Sequence, residues 1–205
     1  MTRQLRAVRT RQALVSAAAS EFDRRGYDGT ALNRVCRAAG ITMGALSFHF
    51  ATKDELASAV QVQGQAITRA ALEGLSAGPA PALHRAIDVT LELARLLEEE
   101  PAVRSAARLS RERPDHDLAW TTSWIAAVQD LFGQAYRDGQ LHAAVRPEDL
   151  ATLSRSLVLG AEYRARAGSA QGDEEPREPG AVEEIRQMWN IIQRGICAPS
   201  SRRPS

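Results

Sequence analysis

Apolar and alanine residues recur along this chain at three- and four-residue intervals, and nowhere do β-branched and aromatic residues alternate with polar ones at a spacing of two. That pattern predicts an all-α protein without a sheet. Leu14, Ala18 and Phe22 form a stripe on a first helix over residues 6–25, which Arg25-Gly26-Tyr27-Asp28-Gly29 closes with glycine. Thr30 is placed to cap a short second helix through Ala38, with Leu32, Val35 and Cys36 facing inward. Ala39-Gly40-Ile41 then turns the chain into a third helix that starts at Thr42 and ends near Phe50. Thr52-Lys53-Asp54-Glu55 reads as a capping box opening a fourth helix that reaches Leu75. At 1.5 Å per residue such a helix spans roughly 35 Å, enough to link two domains. Beyond the breaker Ser76-Ala77-Gly78-Pro79-Ala80-Pro81, helices are expected at about 81–99, 101–112, 116–138, 147–167 and 180–196, which makes about nine in all. Residues 168–180 read as a mobile loop, and residues 198–205 as a disordered tail.

Composition narrows the class. With 205 residues, 44% of them hydrophobic, the chain can bury a core. It holds no apolar run of membrane-spanning length, and no such run follows the polar start Met1-Thr2-Arg3-Gln4, so the expectation is a soluble cytoplasmic protein with no membrane partner. Cys36 and Cys197 stand far apart without ligand-like neighbours and are expected as reduced thiols, with no metal site. The net charge of +1 conceals an asymmetry: residues 1–53 carry nine Arg or Lys against three Asp or Glu, and the remainder is acidic. A basic quarter of this kind suits a phosphate-facing module. His49, His84, His116 and His142 are scattered, with no nucleophile motif or phosphate-cradling loop, which argues against an enzyme and against a cofactor. Asp115-His116-Asp117 has metal-ligating residue types, but after Pro114 it reads as the acidic first turn of a helix.

Two short helices joined at a glycine turn and crossed by a longer one form the trihelical arrangement that places its last helix in a major groove. Ile41, Leu46 and Phe50 turn inward, which frees Thr42, Met43, Gly44, Ser47, Phe48 and His49 to meet DNA. Gly44 matters by what it lacks, since without a side chain the backbone can approach a base edge. Thr30, Thr42, His49 and Lys53 are candidates for phosphate, and Arg3, Arg6 and Arg9 form a basic arm before the first helix. The expected division is a DNA-binding domain over 1–53, an effector and dimerisation domain over 54–197, and the tail.

The segment Ala39-Gly40-Ile41-Thr42-Met43-Gly44-Ala45-Leu46-Ser47-Phe48-His49-Phe50-Ala51-Thr52-Lys53-Asp54-Glu55-Leu56, within residues 30–56, resembles the DNA-binding domain of the TetR family of bacterial repressors. Arg3-Gln4-Leu5-Arg6-Ala7, Phe22-Asp23-Arg24-Arg25-Gly26-Tyr27 and Gly44-Ala45-Leu46-Ser47-Phe48-His49-Phe50 are more narrowly similar to the γ-butyrolactone autoregulator receptors, and weaker likeness continues through Ala94-Arg95-Leu96, Pro101-Ala102-Val103-Arg104, Trp124 and Met188-Trp189. Met43 and Ser47 depart from the lysine and tyrosine usual in those receptors. The resemblance implies a repressor released from its operator by a γ-butyrolactone, butenolide or furan signal. The alternatives are a receptor-like regulator answering to an antibiotic or other ligand, and an interaction protein that does not bind DNA.

Trp120, Trp124, Ile125, Val128, Leu131 and Phe132 give the expected helix over 116–138 the richest aromatic face in the chain. Most of that face reads as core. The resemblance singles out Trp124 as the cap of a ligand pocket, with Val128 and Val158 beside it and Thr90 and Gln129 as candidates to orient a polar ring. Leu153, Leu157 and Ala161 on one late helix, with Ile185, Trp189 and Ile192 on the other, are expected at a homodimer surface. A dimer would present two reading helices to successive major grooves of a pseudo-palindromic operator, roughly 34 Å apart.

Overall fold

The computed structural model describes residues 2–114, 119–168 and 180–197. Among them nine α-helices form: α1 (Thr2–Gly29), α2 (Leu32–Ala39), α3 (Met43–His49), α4 (Lys53–Ser76), α5 (Ala82–Glu99), α6 (Pro101–Glu112), α7 (Ile125–Arg137), α8 (Pro147–Gly168) and α9 (Ala181–Ile196), with a 3-10 turn at Trp120–Ser123 between α6 and α7. The β pairing among these residues is a single antiparallel bridge between Leu141 and Cys197. No described helix is long and apolar enough to cross a membrane. Asp115-His116-Asp117, the expected loop before Gly180 and the expected tail fall outside the described residues, except at the loop's two ends.

The chain forms two compact units, residues 1–68 with 99–123, and residues 69–98 with 124–205. In the first, the fully buried Leu14, Ala18 and Phe22 of α1 meet Val35 and Cys36 of α2, Leu46 of α3, Leu56 and Val60 of α4, and Ala102 and Leu109 of α6. Polar contacts fix α6 along α1. Ser105 donates to the Ala19 carbonyl, Arg104 pairs with Asp23 at 2.8 Å, and Glu112 accepts the Tyr27 N–H at 2.6 Å. Gly26 makes the kink near the end of α1: its φ is +71°, and a Cβ there would lie 2.6 Å from both Arg108 and Glu112. The compact units thus divide the chain differently from the expected boundary after residue 53, because α6 supplies α1 with a packing partner remote in sequence.

Two elements differ from expectation. α1 begins at Thr2, so Arg3 and Arg6 belong to a helix rather than to an extended arm; Arg, Gln, Leu and Ala are good helix formers, and no breaker precedes Gly26. The expected helix over 116–138 is interrupted, with Trp124 at φ −143° and α7 starting at Ile125. Thr122 and Ser123 donate to the carbonyls of Ala119 and Trp120, the local bonding by which hydroxyl residues compete with a continuous helix. Trp120 is also held on two sides, by Ser110 at its backbone N–H and by Thr68 at its indole. Trp120 and Trp124 are therefore both buried but do not share a helical face.

The second unit is built on α5, α7, α8 and α9, with the last turns of α4. Its buried residues include Leu93, Leu97, Trp124, Val128, Phe132, Val158, Ala161 and Ile185. Trp189 donates its indole N–H to Thr90 at 2.8 Å and lies against Phe132 with ring centres 6.0 Å apart.

Candidate nucleic-acid interface

Gly40 ends α2 in the left-handed conformation, at φ +66°, and its N–H bonds back to the last turn. Glycine adopts that conformation without steric cost. Thr42 then caps α3, its hydroxyl oxygen accepting the Ala45 N–H at 3.3 Å. Leu46 and Phe50 are buried, so the opposite side of α3 faces outward: Thr42, Met43, Gly44, Ser47 and Phe48 are all exposed, Phe48 by 82%. Apart from the helix's own neighbouring backbone and the adjacent residues, nothing lies within 4 Å of the Cβ position of Gly44. His49 is half-buried, its ring edge-on to Phe48 at 5.2 Å. The sequence placed this set together on one ridge, and the fold does so.

Lys53 begins α4 behind a capping box in which Thr52 accepts the Glu55 N–H and Glu55 accepts the Ala51 N–H. Its ammonium lies over the Tyr27 ring, 4.4 Å from the centre. Burial raises the Tyr27 phenol pKa above its ordinary value, and the hydrogen bond to Asp54 adds to the effect. Arg113, itself buried, donates to Asp54 at 2.9 Å and to Gln61 at 3.0 Å, and stands 5.1 Å from the same ring. Tyr27, Asp54 and Arg113 were not singled out from the sequence; they meet across 86 residues, and no local spacing announces it. Arg34 and Arg37, exposed on α2, were likewise passed over, although their i, i+3 spacing marks one basic face.

Thr30 is a correction. Its side chain is only 2% exposed and its hydroxyl donates to the carbonyls of Gly26 and Glu21, so it neither caps α2 nor reaches a phosphate. The cap position falls to Ala31, which makes no side-chain bond. Arg6 is exposed on α1; Arg3 lies in the same helix.

In the second unit Trp124, Val128 and Val158 are buried. Gln129 is not beside them. It is exposed and borders an open groove of about 380 Å³ with Gly133, Tyr136 and Pro147. Thr90 is fully buried, but its hydroxyl already donates to the Ile87 carbonyl and accepts from Trp189. Of the expected dimer residues, Ala161, Ile185 and Trp189 are buried within the chain's own core, whereas Leu153, Leu157 and Ile192 are partly exposed. The apolar side chains left in solvent on α8 and α9 are Leu159, Tyr163, Met188 and Ile191.

A short exposed helix, anchored by two others through a glycine turn and bordered by cations, defines the class as helix-turn-helix DNA-binding regulators. The sequence profile described as "Bacterial regulatory proteins, tetR family" matches residues 14–60. CprB from Streptomyces coelicolor, a TetR family protein solved in complex with its biological operator sequence, is 30% identical, with 97% of this chain and 92% of that one covered and a TM-score of 0.73. A structure described as a gamma-butyrolactone receptor (ArpA like protein) aligns over the same shares at 28% identity and a TM-score of 0.75. The A-factor receptor protein of Streptomyces griseus is 28% identical over 97% of this chain and 68% of its own length. The chain belongs to the TetR family, whose members are DNA-binding regulators and not enzymes.

Proposed function

We propose that the chain is a homodimeric repressor released from a pseudo-palindromic operator by a γ-butyrolactone, butenolide or furan signalling molecule. The observation that carries the DNA-binding part is the α3 ridge, where Gly44 and Phe48 are turned to solvent over a buried Leu46 and Phe50. On this reading Met43, Gly44, Ser47 and Phe48 meet base edges, while Thr42, His49, Lys53 and the helical Arg3 and Arg6 meet phosphate. Likeness over nearly the whole chain to a gamma-butyrolactone receptor and to the A-factor receptor supports the ligand class. Trp124, Val128 and Val158 are the walls such a molecule would meet. The exposed apolar residues of α8 and α9 support a dimer.

Mobility-shift titration of the protein against DNA upstream of its own coding sequence tests the proposal. The expected result is a discrete complex that weakens steeply with salt and dissociates on addition of a synthetic γ-butyrolactone. A complex with no sequence preference rejects the DNA-binding reading. A discrete complex that no lactone, butenolide or furan releases rejects only the ligand class.

A further inference from the structure

The outward strip of α3 is poor in hydrogen-bonding groups. Met43 and Ser47 are one turn apart, as are Gly44 and Phe48, so the four form a band two residues wide. Its one polar side chain is the hydroxyl of Ser47. The whole helix, Met-Gly-Ala-Leu-Ser-Phe-His, holds no Arg, Lys, Asn or Gln, the side chains that pair bidentately with guanine or adenine in the major groove. The cations lie on the elements before and after α3: Arg34 and Arg37 are exposed on α2, and Lys53 opens α4. A neutral, apolar band with cations on the adjoining helices suits the floor of a groove bounded by phosphate backbones.

Only one base carries an apolar group on its major-groove edge, and that is the C5-methyl of thymine. We infer that Phe48 and Met43 are specificity-determining residues that recognise thymine methyl groups, and that Gly44 is there to let the helix come close enough for them to do so. The inference rests on the DNA-binding reading above. Gly44 has no task in the fold: it is not in the left-handed region, nothing lies where its Cβ would stand, and a helical glycine weakens its helix relative to alanine. Phe48 gains almost no burial within the chain, since 82% of it is in water, and the edge-on His49 ring supports one side of it. Operator choice then depends on where methyl groups lie more than on base hydrogen bonds.

The test uses the full-length protein and two randomised duplex libraries, one synthesised with dTTP and one with dUTP, because uracil keeps every hydrogen-bonding group of thymine and lacks the methyl. Selection from the thymine library is expected to enrich sites with fixed T·A pairs in each half. Replacing those thymines by uracil weakens binding roughly fourfold per methyl lost. In Phe48→Ala, checked for an unchanged thermal transition, the penalty at one fixed position per half-site shrinks towards zero, and Phe48→Leu restores part of it. Equal binding to thymine and uracil versions of an enriched site overturns the inference and leaves DNA binding intact. Failure of both libraries to enrich any sequence overturns the DNA-binding reading together with it.

Discussion

The ammonium of Lys53 lies 4.4 Å from the centre of the Tyr27 ring, so the first residue of α4 is fixed by an aromatic platform at the end of α1. That platform is held in turn by its hydroxyl on Asp54 and by Arg113 on the same carboxylate oxygen. A cation over an aromatic ring at a partly exposed site contributes about 0.5–1 kcal/mol. Tyr27→Leu should therefore lower unfolding stability by about 1–2 kcal/mol and release Lys53 from its position, with weaker DNA binding and a smaller salt slope. Tyr27→Phe keeps the ring and should cost only about 0.5–1.5 kcal/mol. Urea titrations and mobility shifts on both variants separate the platform from the hydrogen bond.

The same residue sets an alkaline limit. Burial and the Asp54 hydrogen bond raise the Tyr27 pKa above the ordinary 10.0. A raised folded-state pKa means that the stabilisation is fully present below the unfolded value and is lost as pH rises through the folded one. The stability difference between the wild type and Tyr27→Phe should stay constant across the neutral range and diminish only above about pH 10. A difference that changes between pH 6 and pH 8 would remove Tyr27 as its source.

Two glycines should respond in opposite ways to the same substitution. At Gly64 a Cβ would lie 2.5 Å from the Ala102 carbonyl oxygen and 2.5 Å from the Ala106 Cβ, so α4 and α6 pack through its missing side chain. Gly64→Ala must move backbone and should destabilise the first unit by about 1–3 kcal/mol. Gly44 faces open space, so Gly44→Ala should stabilise the protein by about 0.5–1 kcal/mol while DNA binding falls. Urea midpoints and mobility shifts on the pair give four signs; a Gly44→Ala variant that binds DNA undiminished removes that residue from the interface.

Helix positions were legible because period 3.6 and glycine stops are local signals, as Leu14, Ala18, Phe22 and Gly40 illustrate. The reading ridge was legible for the same reason, since burial of Leu46 and Phe50 dictates what faces out. What was not legible depends on tertiary choice. Along α9, Val182, Ile185, Met188, Trp189, Ile191, Ile192 and Ile196 form an apolar stripe about half the helix wide, so periodicity alone could not say which part of it enters the chain's own core. Thr30 has the identity of a cap, but the kink at Gly26 brings carbonyls of α1 within reach of its hydroxyl. The break before Ile125 goes with local hydroxyl bonds of Thr122 and Ser123 and with a bond from the Trp120 indole to Thr68, 52 residues away.

The two thiols should differ sharply in reactivity. Cys36 is buried in the first unit's core, which raises its pKa and keeps it as the less nucleophilic thiol form. Cys197 is exposed. An aromatic disulfide reagent should titrate one thiol per chain rapidly in the native protein and the second only on unfolding. Rapid reaction of both would mean that the core around Cys36 opens far more readily than its packing implies.

The exposed face of α8 and α9 supports a dimer different in detail from the one the apolar stripes suggested. Tyr163 is 69% exposed and Ile191 71%, whereas Trp189 is 1% exposed and bonded to Thr90. If Tyr163 and Ile191 form the interface, placing glutamates there buries like charges at the dimer axis without touching the core. Tyr163→Glu/Ile191→Glu should keep its helical circular dichroism, sediment at about the 22.3 kDa of one chain, and bind DNA far more weakly, because a single reading helix no longer spans two half-sites. Trp189→Ala should instead lose about 3–5 kcal/mol of stability through the cavity it leaves. A double-glutamate variant that still sediments as a dimer would place the interface elsewhere and leave Leu153, Leu157 and Ile192 as the next residues to charge.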